Sequence, residues 1–246
     1  MKATTAQYDH YWDKGWVVVE GVFARDEAEA VATLAEQVSM RELTPDANSG
    51  AADRSADGAM APRKIASPFY KDRRFRAMVL DERMTSLIES LLGVEPLVVT
   101  DQLFMKPPRF GTAKPYHQDN FYFECDPADH VVTAWIALDD VDESNGCLRY
   151  IDGSHKGPIL HHEPIPGEPY NLAPDPALVD TSRESLAIVG KGGVVLHHSK
   201  TLHTSYRNES DRCCRGYATH WASADVTSTN STIADAYYRR ADYALR

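Results

Sequence analysis

From Pro115 to Ser154 the chain reads PYHQDNFYFECDPADHVVTAWIALDDVDESNGCLRYIDGS. Its β-branched and aromatic runs are short and are separated by Gly, Pro, Asn and Asp, which is the pattern of closely spaced antiparallel strands. Near its head stands the triplet His117-Gln118-Asp119. In an extended strand positions i and i+2 share a face, so an imidazole and a carboxylate would project side by side. One more imidazole from another strand would complete a two-His, one-carboxylate face, the donor set that suits Fe(II) and leaves positions open for oxygen chemistry. Alone the triplet is a weak signal, because most such triplets are surface or structural.

Outward from this stretch the strand pattern continues. Leu97–Met105, Tyr116–Phe123, Val131–Leu138, Cys147–Ile151, Ser185–Val189, Val194–His198, Thr201–Tyr206 and Arg215–Ala222 read as strands. They suggest a sandwich or barrel. The proline-rich 158–180 stretch reads as an irregular loop. Upstream, a short helix or turn leads into a strand at Trp16–Val19. Helical spacing from Asp26 to about Met40 predicts a helix capped by Asp26. A second helix is expected from Asp81 to Leu92, stopped by Gly93. Residues 44–62 read as a surface loop, a candidate lid over a site. The expected architecture is one domain over residues 1–246, with a helical part at about 1–95 supporting a β core at about 96–222.

The chain has 246 residues and a net charge of −10. An acidic chain without a long basic run is a poor match for nucleic acid or an anionic membrane surface. The basic cluster Lys71, Arg73, Arg74, Arg76 reads first as a solvated face. No apolar run approaches the length of a membrane span, and the first residues lack a signal-peptide core. Cys125, Cys147, Cys213 and Cys214 show no C-x-x-C spacing and read as reduced thiols of a cytoplasmic protein.

A third imidazole is available in Gly192–Ser205, which holds His197, His198 and His203. Adjacent His197 and His198 cannot both face one metal from a regular strand. The ordered motifs H-Q-D, W-I-A-L-D-D, N-G-C-L-R-Y-I-D-G-S-H-K-G and V-V-L-H-H-S-K-T-L-H-T-S together resemble the phytanoyl-CoA dioxygenase (PhyH) family. Members of that family are Fe(II)- and 2-oxoglutarate-dependent oxygenases on a double-stranded β-helix. The resemblance runs from about residue 15 to Trp221.

The resemblance implies a mainly β fold with flanking helices, the core being a jelly-roll of cupin-like form. It makes His117, Asp119 and His203 the metal ligands. Ser205, Gln118, Trp135, Lys64 and Gln102 fall where family members line the 2-oxoglutarate pocket. Asn120, Phe121, Tyr122 and Phe123 are candidates for facing substrate. Without the family, Trp135 reads as ordinary core, His155 as a turn-stabilising histidine, and Asn145-Gly146 as a hairpin turn.

One departure stands out. The family's arginine for the far carboxylate of 2-oxoglutarate, eleven residues after the distal His, falls here on Cys214. A one-residue slip reverses the face of a strand, so Arg215 serves only if the strand is bulged or shifted. Arg212 is the second candidate. With neither, Lys64 takes the carboxylate alone or the pocket holds another acid.

The implied function is a dioxygenase using Fe(II), 2-oxoglutarate and O2 to hydroxylate an unactivated C–H bond of a small metabolite or natural-product intermediate. Succinate and CO2 are released. Asp119 argues against halogenation, since related halogenases have a small residue there. The competing readings are a non-catalytic binding protein, favoured only by Cys214, an oxygenase of acyl-CoA esters, and a cupin-like metalloenzyme that needs no 2-oxoglutarate.

Overall fold

The computed structural model describes residues 1–44, 47 and 50–237. Helix α1 (Thr5–Lys14) begins with a reciprocal cap, Gln7 N–H donating to the Thr4 hydroxyl and Thr4 N–H to the Gln7 side chain. It stops at Gly15, where φ is +88° and an added Cβ would fall 2.5 Å from both His155 Nδ1 and Thr201 Oγ1. Strand β1 (Trp16–Val19) follows directly.

Helix α2 (Arg25–Glu42) starts one residue earlier than its periodicity suggests, and Asp26 lies in the first turn instead of capping it. Glu27 reaches back to accept the Ala24 N–H at 2.7 Å. Its apolar stripe, Ala28, Val31, Leu34, Ala35 and Val38, is buried as expected.

Of the expected 44–62 loop, residues 45, 46, 48 and 49 lie outside the described residues. The remainder is partly ordered as a hairpin of β2 (Ala52–Arg54) and β3 (Met60–Pro62), and β4 (Lys64–Ala66) follows. Helices α3 (Pro68–Lys71) and α4 (Arg73–Val79) carry the basic cluster, where Lys71 pairs with Glu42 and Arg74 with Asp72. Helix α5 (Glu82–Leu92) is capped by Asp81 and ended by left-handed Gly93, as the sequence indicates.

The β-rich half runs through β5 (Leu97–Lys106), β6 (Lys114–His117), helix α6 (Asp119–Phe123), β7 (Cys125–Asp126), β8 (Val131–Ala137) and β9 (Leu148–Ile151). It continues with β10 (His162–Ile165), β11 (Glu168–Pro174), β12 (Glu184–Ala187), β13 (Val194–His198) and β14 (His203–Ser205). The described chain ends with β15 (Cys214–Ala222), β16 (Thr227–Ser228) and α7 (Ser231–Tyr237). Two expectations are corrected. The strand expected over Tyr116–Phe123 ends at His117 and turns into α6. The 158–180 stretch contains the β10–β11 ribbon; each strand of a two-stranded ribbon has a free edge, so the missing N–H of proline is tolerated there.

Among the described residues the strands form a six-stranded antiparallel sheet, ordered β1-β13-β8-β15-β5-β4, and a four-stranded one, β12-β9-β14-β6. Alternation gives the larger sheet two buried faces. Leu103, Ile136, Leu196, Tyr217 and Trp221 pack with residues of α1, α2, α4 and α5. The opposite face, with Trp135, Val195 and Ala218, packs with Cys147, Tyr150 and Leu148 toward the smaller sheet. No helix among the described residues is long and apolar enough to cross a membrane, and all four cysteines are free.

Candidate active site

Strands β6 and β14 pair with His117 opposite His203, and their ring centroids lie 4.1 Å apart. Gln118 is still extended, with φ −119° and ψ 129°, so alternation carries one residue past the strand and returns Asp119 to the side of His117. One donor atom from each of the three residues lies within 4.8 Å of the others. Asp119 Oδ1 stands 3.7 Å from the Nε2 of each histidine.

Neighbouring groups orient every donor. His117 Nδ1 lies 2.9 Å from the Pro115 carbonyl and His203 Nδ1 2.9 Å from that of Thr201. Each carbonyl requires an N–H at Nδ1, which leaves both Nε2 lone pairs directed at the common point. Asp119 Oδ2 receives the Thr133 hydroxyl at 2.6 Å and His197 Nε2 at 3.0 Å. His197 Nδ1 in turn accepts from the Tyr150 hydroxyl at 2.8 Å. Because Thr133 spends its proton on Asp119, His220 Nδ1, at 2.8 Å, donates to Thr133. Asp119 is therefore held through one oxygen and offers the other.

Burial and the adjacent His203 hold His117 well below the usual imidazole range, and burial pushes His197 down to about 4. Burial opposes the charge of Asp119, but His203 and the hydrogen bond from His197 keep its carboxyl well below the ordinary range. Two neutral imidazoles and one carboxylate at a buried point fit a divalent iron-type ion.

A cavity of about 550 Å³ opens from this cluster between the two sheets. Lys64, Gln102, Trp135, Ser205, Tyr122 and Phe123 line it. The Trp135 ring lies across Gly216, where an added Cβ would come within 1.8 Å of it.

Other expected residues are not brought to the cavity. Alternation turns Gln118 away, and its amide bonds the Lys200 carbonyl (2.7 Å), the Pro158 carbonyl (3.2 Å) and the Leu160 N–H (2.7 Å). Asn120 closes a turn on the backbone of Cys125, and Phe121 stacks on His162 at 4.2 Å. Arg215 lies on the helix side of β15, because the strand shows no register shift before His220. Its guanidinium grips Asp139 at 2.6 and 2.8 Å and also Glu36. Arg212 is exposed and pairs with Asp142. Cys214 is the residue that faces the cavity.

Residues 11–216 match the model of the family described as phytanoyl-CoA dioxygenase (PhyH). The chain belongs to the PhyH family. It is 28% identical over 156 residues to the phytanoyl-CoA dioxygenase domain-containing protein 1 homolog of Caenorhabditis briggsae, covering 61% of this chain and 54% of that protein. The chain spans about half the length of the first curated relatives it matches. In fold it is similar to EvdO2 from Micromonospora carbonacea var. aurantiaca, with a TM-score of 0.75, 21% identity and 94% of each chain covered. It is similar also to the epimerase SnoN in complex with Fe3+, alpha ketoglutarate and nogalamycin RO, with a TM-score of 0.74 and 21% identity; 94% of this chain and 88% of that one are covered.

Several site residues of this PhyH member escaped the sequence reading. Thr133, which donates to Asp119, was legible only as a strand position on the face of Trp135, and His197 was noted only as one of three neighbouring histidines, without its hold on Asp119. Four cations, Arg63, Lys64, Lys106 and Lys114, line the cavity, with Asp119 as its carboxylate. Lys114 bonds Asn171 at 2.9 Å, and burial pushes its ammonium down to about 8. Lys106 has the parity of Gln102 on β5, and that spacing was the available signal. Taken together, the lining favours an anionic occupant.

Proposed function

We propose that this chain is an Fe(II)- and 2-oxoglutarate-dependent dioxygenase that hydroxylates an unactivated C–H bond of a small metabolite or natural-product intermediate. The observation that carries the reading is the convergence of His117, Asp119 and His203 at one buried point, each donor oriented by a second group. The ligands bound to the similarly folded SnoN support it. In this reading residues 1–246 act as one domain, and the two facing antiparallel sheets are the halves of a double-stranded β-helix.

Bound iron and 2-oxoglutarate would supply oxygen activation and C–H cleavage, with succinate and CO2 leaving. The chain's own residues do the rest. His117, His203 and Asp119 would hold the metal at the cavity wall. Thr133 and His197 occupy Asp119 Oδ2, which leaves Oδ1 as the carboxylate oxygen that would serve the metal. Trp135, Phe104 and Leu148 form an apolar wall that keeps water from the reacting centre. Lys64, Gln102 and Ser205 face the cosubstrate, and Tyr122 and Phe123 face the substrate. The cationic lining suits a dicarboxylate.

The test is an anaerobic titration with Fe(II) and then 2-oxoglutarate, reading the visible charge-transfer band of a chelated 2-oxo acid. The band is expected in the wild type and absent in His203→Ala, with turnover-linked succinate falling at least about 100-fold, beyond the range of a second-sphere change. Iron binding without the band would sink the 2-oxoglutarate reading.

A further inference from the structure

β5 and β15 pair in register with Lys106 directly opposite Cys214, and both residues face the cavity. Lys106 bears a half-buried ammonium with no carboxylate in ion-pair range among the described residues. Its hydrogen bonds go to two neutral acceptors, the Gly146 carbonyl at 3.3 Å and the Tyr206 carbonyl. A partly desolvated cation with only neutral hydrogen-bond partners is costly, and an anion in the cavity would relieve that cost. Burial pushes its pKa down to about 8, which leaves it mostly charged at neutral pH. By contrast, Lys114 is tied to Asn171, and Lys64 lies over the Phe104 ring at 5.7 Å.

The surroundings keep this corner open. Gly146 is left-handed, with φ +86°, and a Cβ there would lie 3.1 Å from Lys106 Nζ and 2.5 Å from the Tyr206 carbonyl oxygen. Ser205, next to Tyr206, lines the same cavity. It lies two residues from His203 along β14, about 7 Å of extended chain. That is the reach of a five-carbon diacid whose 2-oxo acid end is held at the metal.

We infer that Lys106 is the anchor for the far carboxylate of the 2-oxo acid cosubstrate, standing with Ser205 beside Cys214, where neither Arg212 nor Arg215 reaches. The inference rests on the oxygenase reading above. It assigns recognition to a single ammonium on the neighbouring strand, not to Arg215, Arg212 or Lys64.

The test measures binding to the Fe(II)-loaded, anaerobic protein by calorimetry and by the charge-transfer band, using 2-oxoglutarate and 2-oxopentanoate, which lacks the far carboxylate. Losing one charge-assisted hydrogen bond corresponds to about 10- to 100-fold in affinity. In Lys106→Met, 2-oxoglutarate is expected to weaken by that factor while 2-oxopentanoate is unchanged. Should Lys106→Met fail to fold, Lys106→Gln is read in the same way. Equal weakening of both acids would make Lys106 a structural residue and overturn the inference, as would a selective loss seen in Lys64→Met instead. No band with either acid in the wild type would remove the oxygenase reading itself; a wild-type band indifferent to Lys106 would remove this inference alone.

Discussion

On β15, Arg215, Tyr217, Thr219 and Trp221 turn toward the helices, while Cys214, Ala218 and His220 turn toward the cavity. The two faces come from alternate residues of the same strand, yet their chemistry differs. On the helix face the polar groups are matched: Arg215 to Asp139 and Glu36, the Tyr217 hydroxyl to Asp101 at 2.7 Å, Trp221 Nε1 to Thr219 at 2.8 Å. On the cavity face the Nε2 atoms of His117 and His203 and the ammonium of Lys106 are directed at open space or at neutral carbonyls. The matched face supplies stability and the unmatched one is poised for ligands. A residue's side of the strand therefore says more about its role than its type does, as Arg215 and Cys214 illustrate from adjacent positions.

Substitutions on the two faces should separate accordingly. The largest effect is expected for Arg215→Ala, which takes the guanidinium from the buried Asp139 carboxylate and leaves it Lys191 at 3.8 Å as its ion-pair partner. Denaturant unfolding should show a loss of about 3–5 kcal/mol, with 2-oxoglutarate affinity of the folded protein unchanged. A selective loss of 2-oxoglutarate binding without destabilisation would erase the distinction between the faces.

Next comes Asp101, whose carboxyl burial pushes up to about 6 although the Tyr217 hydroxyl and the Phe69 N–H bind it. Asp101 holds its proton more tightly folded than unfolded, so its effect is most favourable below the ordinary carboxyl range and is lost as pH rises to about 6. Asp101→Asn should remove up to about 3 kcal/mol of that pH-dependent difference, measured as unfolding free energy at several pH values from 4 to 7. A variant whose pH profile parallels the wild type would mean that Asp101 ionises normally.

The smallest shift sharpens the cavity side. Thr133→Val removes the hydroxyl from Asp119 Oδ2 and should weaken Fe(II) binding about 10- to 100-fold, read by metal titration. An unchanged affinity would show that His197 alone suffices to orient the carboxylate.

The sequence carried much of this in local terms. Helix α5 with its Asp81 cap and Gly93 stop, strand β13, and the grouping of His117, Asp119 and His203 were legible because caps, alternation and ordered motifs are short-range signals. The failures were of two kinds. Strand propensity was read through Phe123, but the chain turns into α6 after Gln118, and the ribbon at 162–174 was hidden by its prolines. Asn120 and Phe121 were expected at the cavity by proximity to a motif, Gln118 by its match to a family position, and Arg215 or Arg212 by their spacing from His203, although facing depends on parity and on which neighbours capture the side chain.

The order of elements, the two-face alternation of the β core and the candidate donors His117, Asp119 and His203 could be read from the amino-acid order, since each depends on spacings of a few residues. Tertiary structure decided which carboxylates take Arg215, that Thr133 and His197 hold Asp119, and that Lys106 faces Cys214 across two paired strands. Those pairings join residues from Glu36 to Arg215, far apart along the chain. Register and burial set them, and no local spacing encodes either.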